Sequence, residues 1–299
     1  MSGDPTAGVD IGGTKIRAAV VAPGGAVLTS ATAPTPSGGG AMLDVAADLV
    51  VRAVASAGVL VAAVGVGAAG VVDPGTGEVL AASDSFTGWV GTNLRDGIAT
   101  RTGLRVVAAN DVDSFLVGEA TWGAVRGVRS AAGIALGTGV GGALWLDGAL
   151  YRGAGAAGEI GHMPGFGDAR CTCGQRGHLE TLASGRSVAR RYAELGDGVE
   201  VGASEVEARA LAGDEVAVRV LADAGHAVGS AVLMLAALLD VGHVVVGGGL
   251  ARAWDLLEPA LLARLREEPP VSGHPVEVRR AVLGGDATVI GAAALAQRL

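Results

Sequence analysis

Ala7-Gly8-Val9-Asp10-Ile11-Gly12-Gly13-Thr14-Lys15-Ile16 reads as a strand that runs into a glycine tip and leaves it as a second strand. The second strand continues to Val21, and the Pro23-Gly24-Gly25 turn with a third strand over Ala26 to Thr32 makes an antiparallel meander. The pattern returns at Gly133-Ile134-Ala135-Leu136-Gly137-Thr138-Gly139-Val140. Superposing Gly137-Thr138 on Gly13-Thr14 aligns strand, turn and strand over some sixteen positions, with Gly148 over Gly24 and an offset of 124 residues. Such a repeat predicts two halves, each opening on a glycine-tipped hairpin. It also predicts a cleft between the halves, where two tips face one ligand.

Outward from the hairpins, Ala41 to Ala57 carries apolar residues at helical spacing and stops before Gly58. Val59 to Val66 and Leu104 to Ala108 read as buried strands, and Ser114 to Thr121 as a helix. A loop-rich stretch from Tyr151 to Glu180 is dense in Gly, Cys and His. Helical patterns follow over Ser187 to Leu195, Ala203 to Leu211 and Asp214 to Leu239. A strand over Val241 to Val246 meets Gly247-Gly248-Gly249 before a helix at Trp254 to Arg266. Val276 to Val282 and Ala287 to Arg298 complete the chain as strand and helix, so the class is α/β.

A length of 299 residues fits two domains or one large α/β unit. Half the residues are hydrophobic, which rules out a disordered chain. The net charge of −8 and the lack of a basic run argue against a nucleic-acid partner. The uncharged run from Ala53 to Val72 is long enough to span a membrane, but four glycines break it, so a helix end and a buried strand explain it better. No cationic segment followed by an apolar one marks a signal peptide, and Cys171 and Cys173 are too close in sequence to bridge. A cytoplasmic protein with no membrane partner is expected. Among 22 basic residues only Lys15 is a lysine, directly after Gly12-Gly13-Thr14.

Gly65-Val66-Gly67-Ala68-Ala69-Gly70 satisfies the dinucleotide fingerprint G-x-G-x-x-G, but the segment after it leads into a turn and short strands rather than a helix. A Walker loop is excluded because Ile16 follows Lys15. Asp10-x-Gly12-Gly13-Thr14-Lys15 suits phosphate better. Bare glycines let backbone N–H groups approach the oxygens, Thr14 adds a hydroxyl and Lys15 a charge, and Asp10 can hold Mg²⁺ through water. An ordinary hairpin turn is the rival reading. Gly137-Thr138-Gly139 and Gly247-Gly248-Gly249 supply two further tips, and three tips fit the phosphates and nucleoside of one ATP. Asn110-Asp111-Val112-Asp113 follows a strand, where Asp111 could take a proton from an attacking hydroxyl, or Asp111 or Asp113 could cap the next helix. His162, Cys171, Cys173 and His178 offer two nitrogens and two sulfurs to a structural Zn²⁺, against two free thiols near unrelated histidines.

These motifs together resemble the ROK family of sugar kinases and regulators, from about Val9 to the C-terminus. The resemblance rests on the Asp10 to Lys15 hairpin, Asn110-Asp111, Gly137-Thr138-Gly139, Gly158-Glu159-Ile160-Gly161-His162, the Cys171-x-Cys173-Gly174 loop and the late triple glycine. It implies a two-domain, actin-like (ribonuclease-H-like) ATPase fold. Residues 1–115 and 284–299 would form one domain and 116–283 the other. It further implies transfer of the ATP γ-phosphate to a hexose 6-hydroxyl in a glycolytic enzyme, glucose first. Asp111 would be the catalytic base. Asn110, Asp111, Glu159, His162 and Glu180 would bind sugar hydroxyls, and His162 would also ligate zinc.

Two positions depart from the family pattern. His178 stands where the family has a third cysteine, and Ala69 where it usually has proline. Mannose, N-acetylglucosamine and N-acetylmannosamine are alternative substrates. A non-catalytic sugar-responsive regulator is the alternative of another class, disfavoured by the nine residues before Asp10 and the missing basic recognition helix. A homodimer or homotetramer is expected, with apolar residues of the late helices forming its face.

Overall fold

The structure is a computed structural model that describes residues 3–83 and 86–299. It divides into two compact units. One holds residues 1–129, 144–157 and 282–299, and the other 130–143 and 158–281.

The first unit is built on β1 (Thr6–Ile11), β2 (Lys15–Val21), β3 (Val27–Pro34), α1 (Gly39–Ala57), β4 (Ala63–Ala68), the short pair β5 (Val71–Val72) and β6 (Val79–Ala81), α2 (Leu94–Thr102), β7 (Arg105–Asn110) and α3 (Asp111–Trp122). Its sheet runs β3-β2-β1-β4-β7, with the meander antiparallel and β1, β4 and β7 parallel. The second sheet contains β8 (Ala131–Leu136), β9 (Val140–Leu146) and β10 (Ala149–Tyr151). These precede α4 (Glu180–Ala183), α5 (Gly185–Leu195), α6 (Ala203–Leu211), α7 (Glu215–Leu239), β11 (His243–Gly247), α8 (Trp254–Glu267), β12 (Glu277–Arg280) and α9 (Ala287–Ala296). Its order, β10-β9-β8-β11-β12, repeats the first, again with three parallel strands at one side. The repeat seen between the two glycine tips is thus a repeat of whole sheets, the ribonuclease-H-like pattern.

The first sheet is covered on both faces. Met42, Leu43, Ala46, Leu49 and Val50 recur at helical spacing on α1 and pack on one face with Val9, Ile11, Val64 and Val66. On the other face, Ala19 and Val21 meet Val289, Ile290 and Ala293 of α9. The approach of α9 explains the G-x-G-x-x-G run. A Cβ on Gly65 would overlap the Ala292 carbonyl, so glycine is required there by a helix crossing the strand, not by a dinucleotide.

Glu119, fully buried at the end of α3, accepts from Ala124 N–H at 2.7 Å through Oε2 and from Val282 and Leu283 N–H at 3.1 and 2.9 Å through Oε1. Three backbone donors make this buried carboxylate tolerable, and it fixes the chain where it returns to the first unit.

Several boundaries differ from the sequence reading. β4 begins at Ala63 rather than Val59, because Gly58 closes α1 in the left-handed conformation (φ 65°) and Leu60 stands 91% exposed in the connection. α3 begins at Asp111 rather than Ser114. Its cap is neither Asp111 nor Asp113 but Asn110, whose side chain accepts from Val112 and Asp113 N–H at 2.7 and 3.3 Å. β11 starts two residues late, at His243, and β12 is shorter than expected at each end. α7 is long and apolar enough to cross a membrane by composition, yet Val220, Leu221, Ala224, Val228, Val232 and Leu235 form a buried stripe, as in a core helix.

Candidate functional site

In the first unit the chemistry gathers at one edge of the sheet. Ile11, Ala68 and Asn110 lie in register across the parallel strands, so Asp10, the loop after β4 and the Asn110-Asp111 pair all sit at strand C-terminal ends. That edge is where open α/β sheets carry ligands. The hairpin closes with Gly12 N–H donating to Lys15 C=O at 3.1 Å, leaving Gly13, Thr14 and Lys15 exposed at the tip. Thr35 secures the tip from β3's end: its hydroxyl donates to Gly12 C=O at 2.6 Å and its N–H to Thr14 C=O at 3.1 Å.

Burial, and next the neighbouring Asp111 carboxylate, push Asp10 up from its usual 3.8 to about 6, against the pull of Lys15 and Arg17. Two carboxylates therefore share this edge with two cations. The folded state binds the Asp10 proton more tightly than the unfolded chain, so the metal-free protein should lose stability as pH rises from about 4 to 6. Asp10→Asn should flatten that loss, which thermal melts across the interval would show. A variant as pH-sensitive as the parent would show that Asp10 is not the group responsible for the loss.

The second unit holds the other two tips. Gly137-Thr138-Gly139 leaves β8 and Gly247-Gly248-Gly249 leaves β11, and Gly247 pairs with Ala135, so both lie at the C-terminal ends of adjacent strands. Gly185, at the start of α5, donates to Gly137 C=O at 2.9 Å. Glu180 braces the same tip: its Oε2 accepts from Val140 N–H at 3.0 Å and its Oε1 from the Thr172 hydroxyl at 2.9 Å. Glu159 meets His162 Nδ1 at 3.1 Å.

His162, Cys171, Cys173 and His178 come together, with one ligand atom from each lying within 4.8 Å of the others. Cys173 Sγ is 3.4 Å from His178 Nδ1, and the two imidazoles meet edge to face at 5.3 Å. The sulfurs and nitrogens are the donors zinc prefers, and four of them fit a closed site.

Of the residues selected from sequence, the first unit gathers Asp10, Gly12, Gly13, Thr14, Lys15, Asn110 and Asp111. The second gathers Gly137, Thr138, Gly139, Gly247, Gly248 and Gly249 in one region and Glu159, His162, Cys171, Cys173, His178 and Glu180 around the cysteine loop. Thr35, Thr172, Phe86 and Trp89 were not anticipated. Of these, Phe86 and Trp89 carried a signal, as aromatic residues in a chain with 3% of them.

The ROK family profile matches residues 6–299. The glucokinase of Streptomyces coelicolor is 36% identical over 98% of this chain and 97% of that enzyme. The kanosamine kinase of Amycolatopsis mediterranei is 32% identical over 97% of this chain and 95% of its own length. Among solved structures, a ROK family glucokinase from Streptomyces griseus, in complex with glucose and AMPPNP, superposes with a TM-score of 0.85 at 34% identity. That match covers 99% of this chain and all of the other. The chain therefore belongs to the ROK family.

Proposed function

We propose that this protein is a glucokinase-type sugar kinase that transfers the γ-phosphoryl group of ATP to the 6-hydroxyl of glucose. The observation that carries the reading is the pairing of Asp10 with Asp111 at one sheet edge, beside a glycine tip bearing the chain's only lysine. Asp111 accepts the hydroxyl proton and orients the oxygen toward phosphorus. In a loose phosphoryl-transfer transition state this positioning matters more than the basicity of the carboxylate. Gly12, Gly13, Thr14 and Lys15 hold phosphate oxygens, as do the tips at Gly137-Thr138-Gly139 and Gly247-Gly248-Gly249. Asn110, Glu159, His162 and Glu180 bind sugar hydroxyls together with Asp111.

Mg²⁺ would be held through Asp10 and would neutralise phosphate charge. Zn²⁺ would be held by His162, Cys171, Cys173 and His178, and with four protein ligands it would serve structure alone. The gathering of these two imidazoles and two thiols, with one ligand atom from each within 4.8 Å of the others, supports this. A homodimer or homotetramer would cover apolar residues of the late helices, among them Leu211 and Leu238, 70% and 78% exposed.

The likeness to a kanosamine kinase favours an amino sugar as second reading. ADP release with MgATP against glucose, mannose, fructose, N-acetylglucosamine, N-acetylmannosamine and kanosamine decides between them. Glucose should give the highest kcat/KM. Preference for an amino sugar would replace the substrate, and sugar binding without ADP would replace the enzyme by a non-catalytic binder.

A further inference from the structure

We propose that Trp89 is a positioning residue for the sugar, acting through the Ala69-Gly70 loop that follows β4. The loop is held by three hydrogen bonds from three separate segments. Ala69 N–H donates to Ile11 C=O at 3.2 Å, the Trp89 indole N–H donates to Ala69 C=O at 2.9 Å, and the Asn110 side-chain amide donates to Gly70 C=O at 2.9 Å. Gly70 has φ 107°, and a Cβ there would lie 2.5 Å from the Ala81 carbonyl, so the loop presents bare backbone at the edge shared by Asp10 and Asp111.

This anchoring explains how Ala69 can stand where proline is usual in the family. Proline would stiffen the loop by its ring but has no N–H to give Ile11. Here the stiffness comes from hydrogen bonds instead, and Trp89 supplies the one to the Ala69 carbonyl. The indole is fully buried, with Phe86 stacked beside it at 6.1 Å between centroids, so its position is fixed. Without the indole N–H, Ala69 C=O is left unsatisfied and the loop loses its link to the segment around residue 89. Asn110, a proposed sugar contact, is tied to Gly70 through this bond, so a loosened loop weakens the hold on the sugar. The phosphate tip keeps its own anchors on Thr35.

The inference rests on the hexose-kinase reading, and Trp89→Phe tests it, because phenylalanine keeps an aromatic ring and removes only the donor. The KM for glucose should rise about tenfold, while kcat and the KM for MgATP stay within about twofold of the parent. An unchanged KM for glucose, or equal rises for both substrates, would overturn the proposal. An independent readout uses the parent protein, in case the variant does not fold. Trp89 can be identified among the four indole N–H resonances by replacing Trp122, Trp145 and Trp254 in turn with Phe. Its signal should shift with glucose and stay in place with a non-hydrolysable ATP analogue. A Trp89 resonance indifferent to glucose sinks the proposal. A parent with no sugar kinase activity would instead strike the function itself, so the two failures are distinct.

Discussion

Asp111→Asn is expected to lower kcat on glucose about a thousandfold while leaving the KM for MgATP within about threefold. The amide keeps the size of the side chain and its ability to accept from Val112 N–H, which the carboxylate does at 3.0 Å. It cannot take the proton of the attacking hydroxyl. The folding consequence should be small, because Asn110 and not Asp111 caps α3. A second signature follows from the Asp10–Asp111 pair. With Asp111 neutral, one of the two causes that raise Asp10 disappears, so Asp10 should titrate below about 6 in the variant. A carbon-detected titration of the Asp10 carboxyl would show it. A kcat within tenfold of the parent would remove Asp111 from the chemistry. An Asp10 unmoved in the variant would mean that burial alone accounts for its shift.

The parts of the site that could be read in sequence are those written locally. The two hairpins announced themselves through a strand, a Gly-Thr tip and a strand within some sixteen positions, and the same local grammar produced two sheets of one topology. The gathering of His162, Cys171, Cys173 and His178 was legible for the same reason, the four lying within seventeen residues.

What stayed hidden depends on partners far away in the chain. Glu180 was assigned to sugar hydroxyls, yet its carboxylate also braces Val140 N–H, 40 residues back. Glu119 looks like any helical glutamate until Val282 and Leu283 close on it from more than 160 residues away. Gly65 imitated a dinucleotide fingerprint because close packing of α9 and close approach of a pyrophosphate make the same demand, the absence of a Cβ. The choice between Asp111 and Asp113 as cap missed Asn110, because the preceding strand was expected to end at Ala108 rather than to carry its last residue into the cap.

His178→Ala should strip the protein of zinc and raise the KM for glucose by about tenfold to a hundredfold, whereas His178→Cys should keep both near the parent. His178 is 4% exposed and stands 3.4 Å from Cys173 Sγ, so a buried histidine that merely fills space is the competing explanation. The pair of variants separates the two. Cysteine cannot fill the volume of an imidazole, so a packing role predicts that both variants lose stability alike and that neither changes metal content. A ligand role predicts that metal content, measured by elemental analysis of the purified protein, follows donor chemistry: about one zinc per chain in the parent and in His178→Cys, and none in His178→Ala.

The effect on sugar binding follows from what the loop carries. His162 and Glu159 are joined at 3.1 Å, and Thr172, between the two cysteines, donates to Glu180 at 2.9 Å. If zinc is held there, its loss would free the three proposed sugar contacts at once and loosen the Glu180 brace on Val140. The melting temperature should fall by roughly 5–10 °C, as expected when about 2–3 kcal/mol is removed from a unit of this size. A parent protein that carries no zinc, melts unchanged after treatment with a strong chelator and keeps its KM for glucose would show that the loop stands on its hydrogen bonds alone. Those include Cys171 N–H to Gln175 C=O, Gly177 N–H to Ala169 C=O and Phe166 N–H to Gly177 C=O, and His178 would then be a core residue.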